Sequence, residues 1–257
     1  MSDRILTDRP APHVARVRIH WPEKRNALSV ALRHELIAAL QSFDDDDDVR
    51  AIVIAGGEKV FASGADLTEI LNASAIDMML RATERLWAAI GRTGKPMVAA
   101  VRGLALGGGF ELALHADMIV AGEGTRLGLP EVKLGLMPGG GGTQRLLRLV
   151  GRHRALQLLM TGDTLTAREA ERLGVVNVVA PDDQVDQQAI ALAARVAAMP
   201  PLAIRQIREV VARGADCSLD TALMLESKAL QLLCASHDKH EGIEALLDKR
   251  APNFTGR

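Results

Sequence analysis

Several features that would indicate particular classes of protein are missing from this 257-residue sequence. It contains only two cysteines, Cys217 and Cys234, which excludes a disulfide framework, and we expect both to be free, buried thiols. The formal net charge is −1 and both signs are intermixed, so no basic surface would attract nucleic acid or an anionic membrane. No apolar run reaches the length of a membrane span. We therefore expect neither nucleic acid nor a membrane as a partner.

The N-terminal sequence also lacks the marks of a targeting signal. Residues Met1 to Asp8 contain no apolar core like that of a signal peptide. The early acidic residues Asp3 and Asp8 are unusual in a mitochondrial presequence. The sequence therefore predicts a cytoplasmic protein.

The glycine-rich stretches do not match the common nucleotide-binding or hydrolase motifs. Neither Gly107 nor Gly139 begins a Gly-x-Gly-x-x-Gly motif, and Gly-x-x-x-x-Gly-Lys-Ser/Thr occurs nowhere. The residues around Ser63 do not form the Gly-x-Ser-x-Gly turn that carries a hydrolase nucleophile. These absences make a nucleotide site or a serine nucleophile a poor interpretation of the glycines.

One group of residues has a spacing that could suggest a metal site. Cys234, His237 and His240 fall at steps of three residues. However, Asp238 and Glu241 match an Asp-x-x-Glu capping box, which would place the three side chains across a helix boundary. We therefore expect no metal site.

The order of apolar patterns predicts an α/β fold. Val14 to His20 alternates apolar and polar residues, which predicts a half-buried strand, whereas Val49 to Ala55 and Met97 to Val101 predict buried strands. From Asp182 to Arg250 the pattern is almost wholly helical, with breaks at Pro200-Pro201 and at Gly214. Strands interleaved with helices, followed by helices alone, indicate an α/β domain with a C-terminal helical segment.

Local signals also predict individual helices. Ser29 is a suitable N-cap for a helix with one apolar face, and Thr166 with Glu169 forms a capping box at the start of another. A single long helix is predicted over Asp77 to Ile90. The apolar face of the first helix is formed by Leu32, Leu36, Leu40 and Phe43.

The main candidate for a functional site is the glycine triad Gly107 to Gly109, which follows a buried strand and precedes Glu111. A tight strand-to-helix turn would explain a glycine triad alone. A second stretch of small residues, Phe61 to Leu67, also follows a strand-like run. Each stretch could offer one backbone N–H to the same oxygen atom, which is the geometry of an oxyanion hole.

Together with Lys95 to Ala113 and Pro138 to Arg145, these stretches resemble the enoyl-CoA hydratase (crotonase) family, from about Trp21 to the C-terminus. The resemblance implies a ClpP-like spiral of ββα units in residues 1–195. It also implies that residues 196–257 form a C-terminal helical segment for oligomerisation. A homotrimer, or a hexamer built as a dimer of trimers, would follow.

The resemblance further implies a reaction, the reversible syn hydration of a trans-2-enoyl-CoA to a 3-hydroxyacyl-CoA. The amides of Ala65 and Gly108 would form the oxyanion hole, and Glu111 and Glu131 would act as acid and base. The chain retains both glutamates, which favours hydration. No separate cofactor is expected, because coenzyme A is part of the substrate.

Coenzyme A contacts are implied in the same way. Basic side chains would lie near its phosphates, although a solvated turn explains Lys24 and Arg25 equally well. A C-terminal tail would close over the ligand, from a neighbouring subunit. The implied contact residues are Lys24, Arg25, Ala27, Ala65, Asp66, Leu67, Lys249 and Phe254.

Other activities of the family remain as alternatives. A specialised hydroxyacyl-CoA dehydratase of the carnitinyl-CoA type would use the same two glutamates, and an enoyl-CoA isomerase is a further alternative. A non-enzymatic RNA-binding or scaffold member of the fold fits the balanced charge less well. Three positions depart from the usual family pattern, namely Ser63, His115 and Gly140, and we expect Gly140 to enlarge an already flexible loop. These departures leave the acyl chain of the substrate open.

Overall fold

The structure is a computed structural model that describes residues 3–257. In this part of the chain the strands are β1 (Ile5–Ala11), β2 (Val14–Ile19), β3 (Ala51–Ala55), β4 (Val60–Ala62), β5 (Met97–Val101), β6 (Leu104–Leu106), β7 (Met118–Gly122), β8 (Arg126–Gly128), β9 (Thr164–Thr166) and β10 (Val178–Ala180). The α-helices are α1 (Val30–Asp44), α2 (Leu67–Ile70), α3 (Ala75–Arg81), α4 (Thr83–Gly91), α5 (Gly108–His115), α6 (Gly142–Val150), α7 (Arg152–Thr161), α8 (Ala167–Arg172), α9 (Val185–Ala197), α10 (Pro201–Gly214), α11 (Leu219–Leu233) and α12 (His237–Leu247). Short 3-10 helices cover Pro22–Lys24, Pro130–Leu134 and Asp182–Gln184.

The strands form two sheets, and the chain moves repeatedly from one to the other. The larger sheet has the order β1-β2-β3-β5-β7-β10, and the smaller sheet has the order β4-β6-β8-β9. Pairing is parallel from β2 to β10, while β1 and β9 add antiparallel edges. Each of β3, β5 and β7 is followed by a strand of the smaller sheet and then by helix. This repetition is the ββα spiral that the resemblance implied.

The central strands β3 and β5 are buried on both faces, as their continuous apolar sequences predicted. The half-buried strand predicted at Val14 to His20 forms as β2, in which the apolar residues are buried and the polar ones have intermediate exposure. These polar residues are Arg16 and Arg18, which both pair with Asp186 on α9. The more polar face of β2 therefore contacts a helix that packs on the sheet.

The predicted helix starts are largely confirmed. The Ser29 hydroxyl accepts a hydrogen bond from the Leu32 amide at the start of α1, and the Thr166–Glu169 capping box is present in α8. The apolar face of α1 is buried. The single helix predicted over Asp77 to Ile90 is wrong, because Ala82 adopts a left-handed conformation with φ of 45° and separates α3 from α4.

The cysteine and capping predictions near the C-terminus also need correction. Cys217 and Cys234 are free, but both are exposed. Helix α12 is capped by Ser236, while Asp238 is buried and accepts hydrogen bonds from the amides of Thr255 and Gly256. Within residues 3–257, no group of three or more His, Cys, Asp or Glu side chains is arranged to hold a metal ion.

The C-terminal helices leave a large apolar surface exposed. Helix α9 packs on the larger sheet, whereas α10 packs on α11. Exposed apolar side chains on α10 to α12 include Ile207, Val211, Leu219, Leu223, Met224, Leu230, Leu232, Ile243, Leu246 and Leu247. The division into residues 1–195 and 196–257 stays a prediction.

No single helix among the described residues is long and apolar enough to cross a membrane. Residues Asp182–Ala197 and Pro201–Gly214 meet the length and composition requirement only as a pair, bent by 105°.

Candidate active site

A cavity of about 480 Å³ brings most of the predicted site residues together. Its wall includes Lys24, Arg25, Ala27, Ala65, Asp66, Leu67, Gly108, Glu111 and Glu131. Lys249 and Phe254 do not line it. Phe254 lies near Gly242 of α12, and its carbonyl accepts a hydrogen bond from Arg50. Their contact with a ligand in a neighbouring subunit stays a prediction.

The amides of Ala65 and Gly108 lie side by side at the cavity wall. A methyl group added to Gly108 would lie 3.5 Å from the Ala65 nitrogen, and one added to Gly64 would lie 3.5 Å from the Gly108 nitrogen. Within residues 3–257, neither amide donates a hydrogen bond to another protein group. Gly108 begins α5, so its N–H also belongs to the positive end of the helix dipole.

Each glycine of the triad has a separate role in this arrangement. Gly107 has a φ of 52°, which side chains rarely adopt, and it turns the chain from β6 into α5. Gly108 keeps the space beside the Ala65 amide free. A methyl group on Gly109 would overlap the carbonyl of Ala62, so this glycine lets α5 approach β4 closely. The triad is therefore more than a tight turn.

Glu111 is a buried carboxylate in the first turn of α5, with 3% of its surface exposed. Its Oε1 accepts hydrogen bonds from the amides of Gly140 at 2.7 Å and Gly142 at 2.8 Å. Burial raises the pKa of this carboxyl, while the two amides oppose the rise. Its Oε2 has no hydrogen-bond partner among the described residues. One oxygen is thus anchored and the other is available.

Glu131 lines the same cavity as Glu111 and lies on the 3-10 helix that Pro130 begins. Its Oε1 would lie 3.0 Å from a methyl group on Gly107, and its Oε2 is buried without a partner in residues 3–257. Burial raises the pKa of Glu131, its own backbone amide opposes the rise and the charge of Glu111 adds to it, with a net result of about 7. The two carboxyl groups therefore share one cavity, and burial raises the pKa of both.

His115 follows Glu111 by one helical turn on α5 and contacts Gly140 and Arg145. Its Nε2 lies 3.1 Å from the Gly140 carbonyl, and Arg145 lies 3.1 Å from its Nδ1. Since the guanidinium can only donate, Nδ1 accepts a hydrogen bond from Arg145. Nε2 therefore carries the ring proton and donates a hydrogen bond to the Gly140 carbonyl. Burial, and then the charge of Arg145, lower the pKa of His115 to about 4, so the ring is neutral.

Gly140 is the link between His115 and Glu111, because its carbonyl accepts from one and its amide donates to the other. A methyl group on Gly140 would lie 2.5 Å from Cε2 of Trp87 and 2.7 Å from Oε2 of Glu111. Gly140 is buried and hydrogen-bonded through both its amide and its carbonyl, which does not fit the expectation that it enlarges a flexible loop. It fixes the position of the Glu111 carboxylate.

Arg33 and Trp87 complete this side of the cavity, and the sequence analysis did not identify either as a site residue. Arg33 is only 6% exposed, and its guanidinium carbon lies 5.6 Å from the centre of the Trp87 ring. Burial lowers the pKa of Arg33, while the charges of Glu69 and Glu111 oppose this. The signal that could have revealed Arg33 is its place beside Leu32 and one turn before Leu36, where α1 is buried.

Lys24 and Asp66 lie at another part of the wall. The Lys24 ammonium is 3.6 Å from the Asp66 carboxylate, which also caps α2 by accepting from the amide and hydroxyl of Thr68. The Thr68 hydroxyl is the main cause of a lowered pKa at Asp66. Arg25 has a left-handed backbone with φ of 51°. The predicted contacts of these residues with coenzyme A remain predictions.

Comparison with known proteins identifies the family. The family model described as enoyl-CoA hydratase/isomerase matches residues 11–257. The chain is 40% identical to 2,3-dehydroadipyl-CoA hydratase of Escherichia coli over 100% of both chains. It is 38% identical to a probable enoyl-CoA hydratase of Mycobacterium tuberculosis over 99% of both.

Solved structures of enoyl-CoA hydratases also match this chain. An enoyl-CoA hydratase from Bacillus anthracis superposes with a TM-score of 0.95 at 34% identity, covering 99% of this chain and 100% of the other. An enoyl-CoA hydratase subunit from Geobacillus kaustophilus has a TM-score of 0.95 at 43% identity, covering 99% and 98%. These neighbours confirm the crotonase fold. The chain is a member of the enoyl-CoA hydratase/isomerase family.

Proposed function

We propose that this protein is an enoyl-CoA hydratase that adds water reversibly, in the syn sense, to a trans-2-enoyl-CoA and forms a 3-hydroxyacyl-CoA. The observation that carries the proposal is the placement of two unpartnered amides, from Ala65 and Gly108, in the same cavity as Glu111 and Glu131. Its relatives named enoyl-CoA hydratase support the same reaction.

The amides of Ala65 and Gly108 bind the thioester oxygen. When water adds to the β-carbon, negative charge builds on this oxygen as an enolate forms. Two fixed N–H donors stabilise that charge more than they stabilise the neutral carbonyl. Loss of one such donor typically costs about 3 kcal/mol of transition-state stabilisation.

Glu111 and Glu131 divide the proton transfers. Glu111 is anchored through Oε1, and its available Oε2 takes a proton from water as the oxygen attacks the β-carbon. Glu131, whose pKa is raised to about 7, carries a proton near neutral pH and gives it to the α-carbon. Both groups act from one cavity, which favours addition to one face of the double bond. The reverse reaction uses the same groups with their roles exchanged.

The ligand contacts are those that the family resemblance implies. Lys24 and Arg25 would face the phosphates of coenzyme A, while the backbone at Ala27, Ala65, Asp66 and Leu67 would face its pantetheine and adenine. Lys249 and Phe254 of a neighbouring subunit would close the ligand site. The apolar surface of α10 to α12 supports assembly into a trimer or a hexamer.

The test is to follow the absorbance of the conjugated enoyl thioester with short, medium and branched substrates. Glu111→Gln and Glu131→Gln should each lower hydration by roughly 10²- to 10⁴-fold. Binding of a saturated acyl-CoA should persist in both variants. A folded wild-type protein that hydrates none of these thioesters would overturn the proposal. Double-bond migration without water addition would favour the isomerase alternative.

A further inference from the structure

Arg33 is a buried cation that faces the cavity and has no counter-ion within 4 Å among the described residues. Its residue surface is 6% exposed, and it lines the cavity wall. Its one hydrogen bond runs from Nε to the Ser29 carbonyl and is long, at 3.5 Å. The two terminal nitrogens have no partner in residues 3–257, yet neither is sealed from solvent. They therefore face the cavity.

Glu69 and Glu111 are the acidic groups whose charges act on Arg33, but neither forms an ion pair with it within 4 Å. The Glu69 carboxylate accepts a hydrogen bond from the Val30 amide at the start of α1. Oε1 of Glu111 is held by Gly140 and Gly142. A cation buried without a partner is strongly unfavourable. A buried, unpaired guanidinium that lines a cavity is therefore expected to receive an anionic group from the ligand.

Trp87 indicates which part of the ligand reaches Arg33. A methyl group on Gly108 would lie 3.5 Å from Cζ2 of Trp87, and the Arg33 guanidinium carbon is 5.6 Å from the centre of the same indole. Trp87 thus contacts both Arg33 and the oxyanion hole. The charge of Arg33 also acts on Glu111, the proposed base at the β-carbon, so a ligand group that reaches Arg33 lies on the acyl side of the thioester.

The rest of the cavity wall suits a short hydrocarbon chain that ends in a charge. Its apolar members include Leu67, Ile70, Met78, Trp87, Leu134 and Leu136. Arg25 and Arg81 also line this wall, but both are exposed, and the Arg81 guanidinium donates to the Glu69 carbonyl. Arg33 is therefore the buried cation of this wall whose pairing is incomplete.

We propose that Arg33 binds a carboxylate at the far end of the acyl chain, so that the preferred substrate is a short enoyl-CoA with a terminal carboxylate. The inference rests on the hydratase function proposed above. A guanidinium suits this role because its planar N–H groups can pair with both oxygens of a carboxylate. It also keeps its charge when buried more readily than a lysine does.

The experiment compares two six-carbon substrates that differ at the chain end, trans-2-hexenoyl-CoA and 2,3-dehydroadipyl-CoA. In the wild-type protein, kcat/KM should favour the carboxylated thioester by at least about tenfold. Arg33→Met should lower the ratio of the two kcat/KM values by roughly 10- to 100-fold, and Arg33→Lys should lower it less. Arg81→Met is the matched control and should leave the ratio unchanged.

The ratio separates recognition from electrostatics, because Arg33 also acts on the charge of Glu111. If Arg33→Met lowers both kcat/KM values equally, Arg33 only tunes Glu111 and the inference is wrong. A wild-type preference for hexenoyl-CoA, or control of the ratio by Arg81, would also overturn it. Inhibition of the wild-type protein by adipyl-CoA and hexanoyl-CoA gives a second measurement that needs no variant, and adipyl-CoA should bind more tightly. If the folded protein hydrates neither thioester, the proposed function fails as well.

Discussion

The imidazole of His115 stacks on the indole of Trp87, with ring centroids 5.4 Å apart and planes inclined by 11°. The stack holds the neutral ring where its Nε2 donates to the Gly140 carbonyl. The amide of the same glycine donates to Glu111. His115 is therefore a positioning residue, which acts on the proposed base through one residue, Gly140.

Replacing His115 should change kcat more than KM. His115→Leu removes the donor to Gly140, so the Gly140 amide should no longer hold Glu111 in one place, and kcat should fall about tenfold. His115→Gln keeps an N–H donor and should recover part of the rate. Steady-state kinetics on one enoyl-CoA checks both variants. Equal rates for all three proteins would show that the stack is only packing.

His115 should also make stability depend on pH. Its pKa is lowered to about 4 in the folded protein from an ordinary value of 6.5, so the unfolded chain binds the proton first as pH falls. The free energy of unfolding should therefore decrease from about pH 6.5 to about pH 4, by about 3 kcal/mol from this group. Chemical denaturation at several pH values measures it.

His115→Leu provides the comparison for that measurement. Because it has no group that titrates at this position, its unfolding free energy should fall less steeply over the same pH range. Parallel curves for the variant and the wild-type protein would mean that His115 is not desolvated in solution.

Gly140 and Gly139 offer a matched pair of substitutions in one loop. A methyl group on Gly140 would lie 2.5 Å from Trp87 and 2.7 Å from Glu111, whereas one on Gly139 would meet nothing within 4 Å. Gly140→Ala should therefore displace the Glu111 carboxylate and lower kcat by at least about tenfold. Gly139→Ala should keep most of the activity. Similar losses in both variants would indicate that loop flexibility, and not the Glu111 contact, controls the rate.

Much of the fold could be predicted because its signals are local. The Ser29 cap of α1 and the buried run of β5 depend on residues close together in sequence. The break at Ala82 has no such signal, since alanine rarely adopts a left-handed conformation and its sequence predicts continued helix. The packing differs on its two sides, since α4 has buried residues and packs on α1, whereas α3 has none.

The site could be predicted only in part for the same reason. The resemblance indicated Glu111 and Glu131, and the structure places both at one cavity. The functions inferred for His115 and Arg33 depend on Trp87, which approaches both from a separate helix. No short sequence motif indicates that side chains on separate helices will meet. Side chains whose roles depend on contacts between separate helices are therefore the ones that needed the structure.

The kcat/KM for hydration should fall as the pH rises above about 7. The forward reaction needs a proton on Glu131 and none on Glu111, and the reverse reaction needs the opposite distribution, so each direction requires one proton on the pair. Since the pKa of Glu131 is raised to about 7, kcat/KM should decline above that value in both directions. Initial rates across the pH range test this. A profile that stays flat to about pH 9 would contradict a proton on Glu131.

The same carboxyl group should reduce stability when it is charged. The pKa of Glu131 is about 7 when folded and 4.5 ordinarily, so the folded protein holds a proton that the unfolded chain has lost between these values. Raising the pH through this range should therefore weaken the wild-type protein. Glu131→Gln removes the charge and should be more stable than the wild-type protein by about 1–2 kcal/mol at about pH 8, after allowance for partial exposure. The difference should be smaller at about pH 4.5, where both side chains are neutral. Chemical denaturation of both proteins at the two pH values measures this difference, with hydratase activity assayed on the same samples. At about pH 8 the variant should be more stable and less active than the wild-type protein. A stability difference that does not change with pH would contradict burial as the cause of the raised pKa.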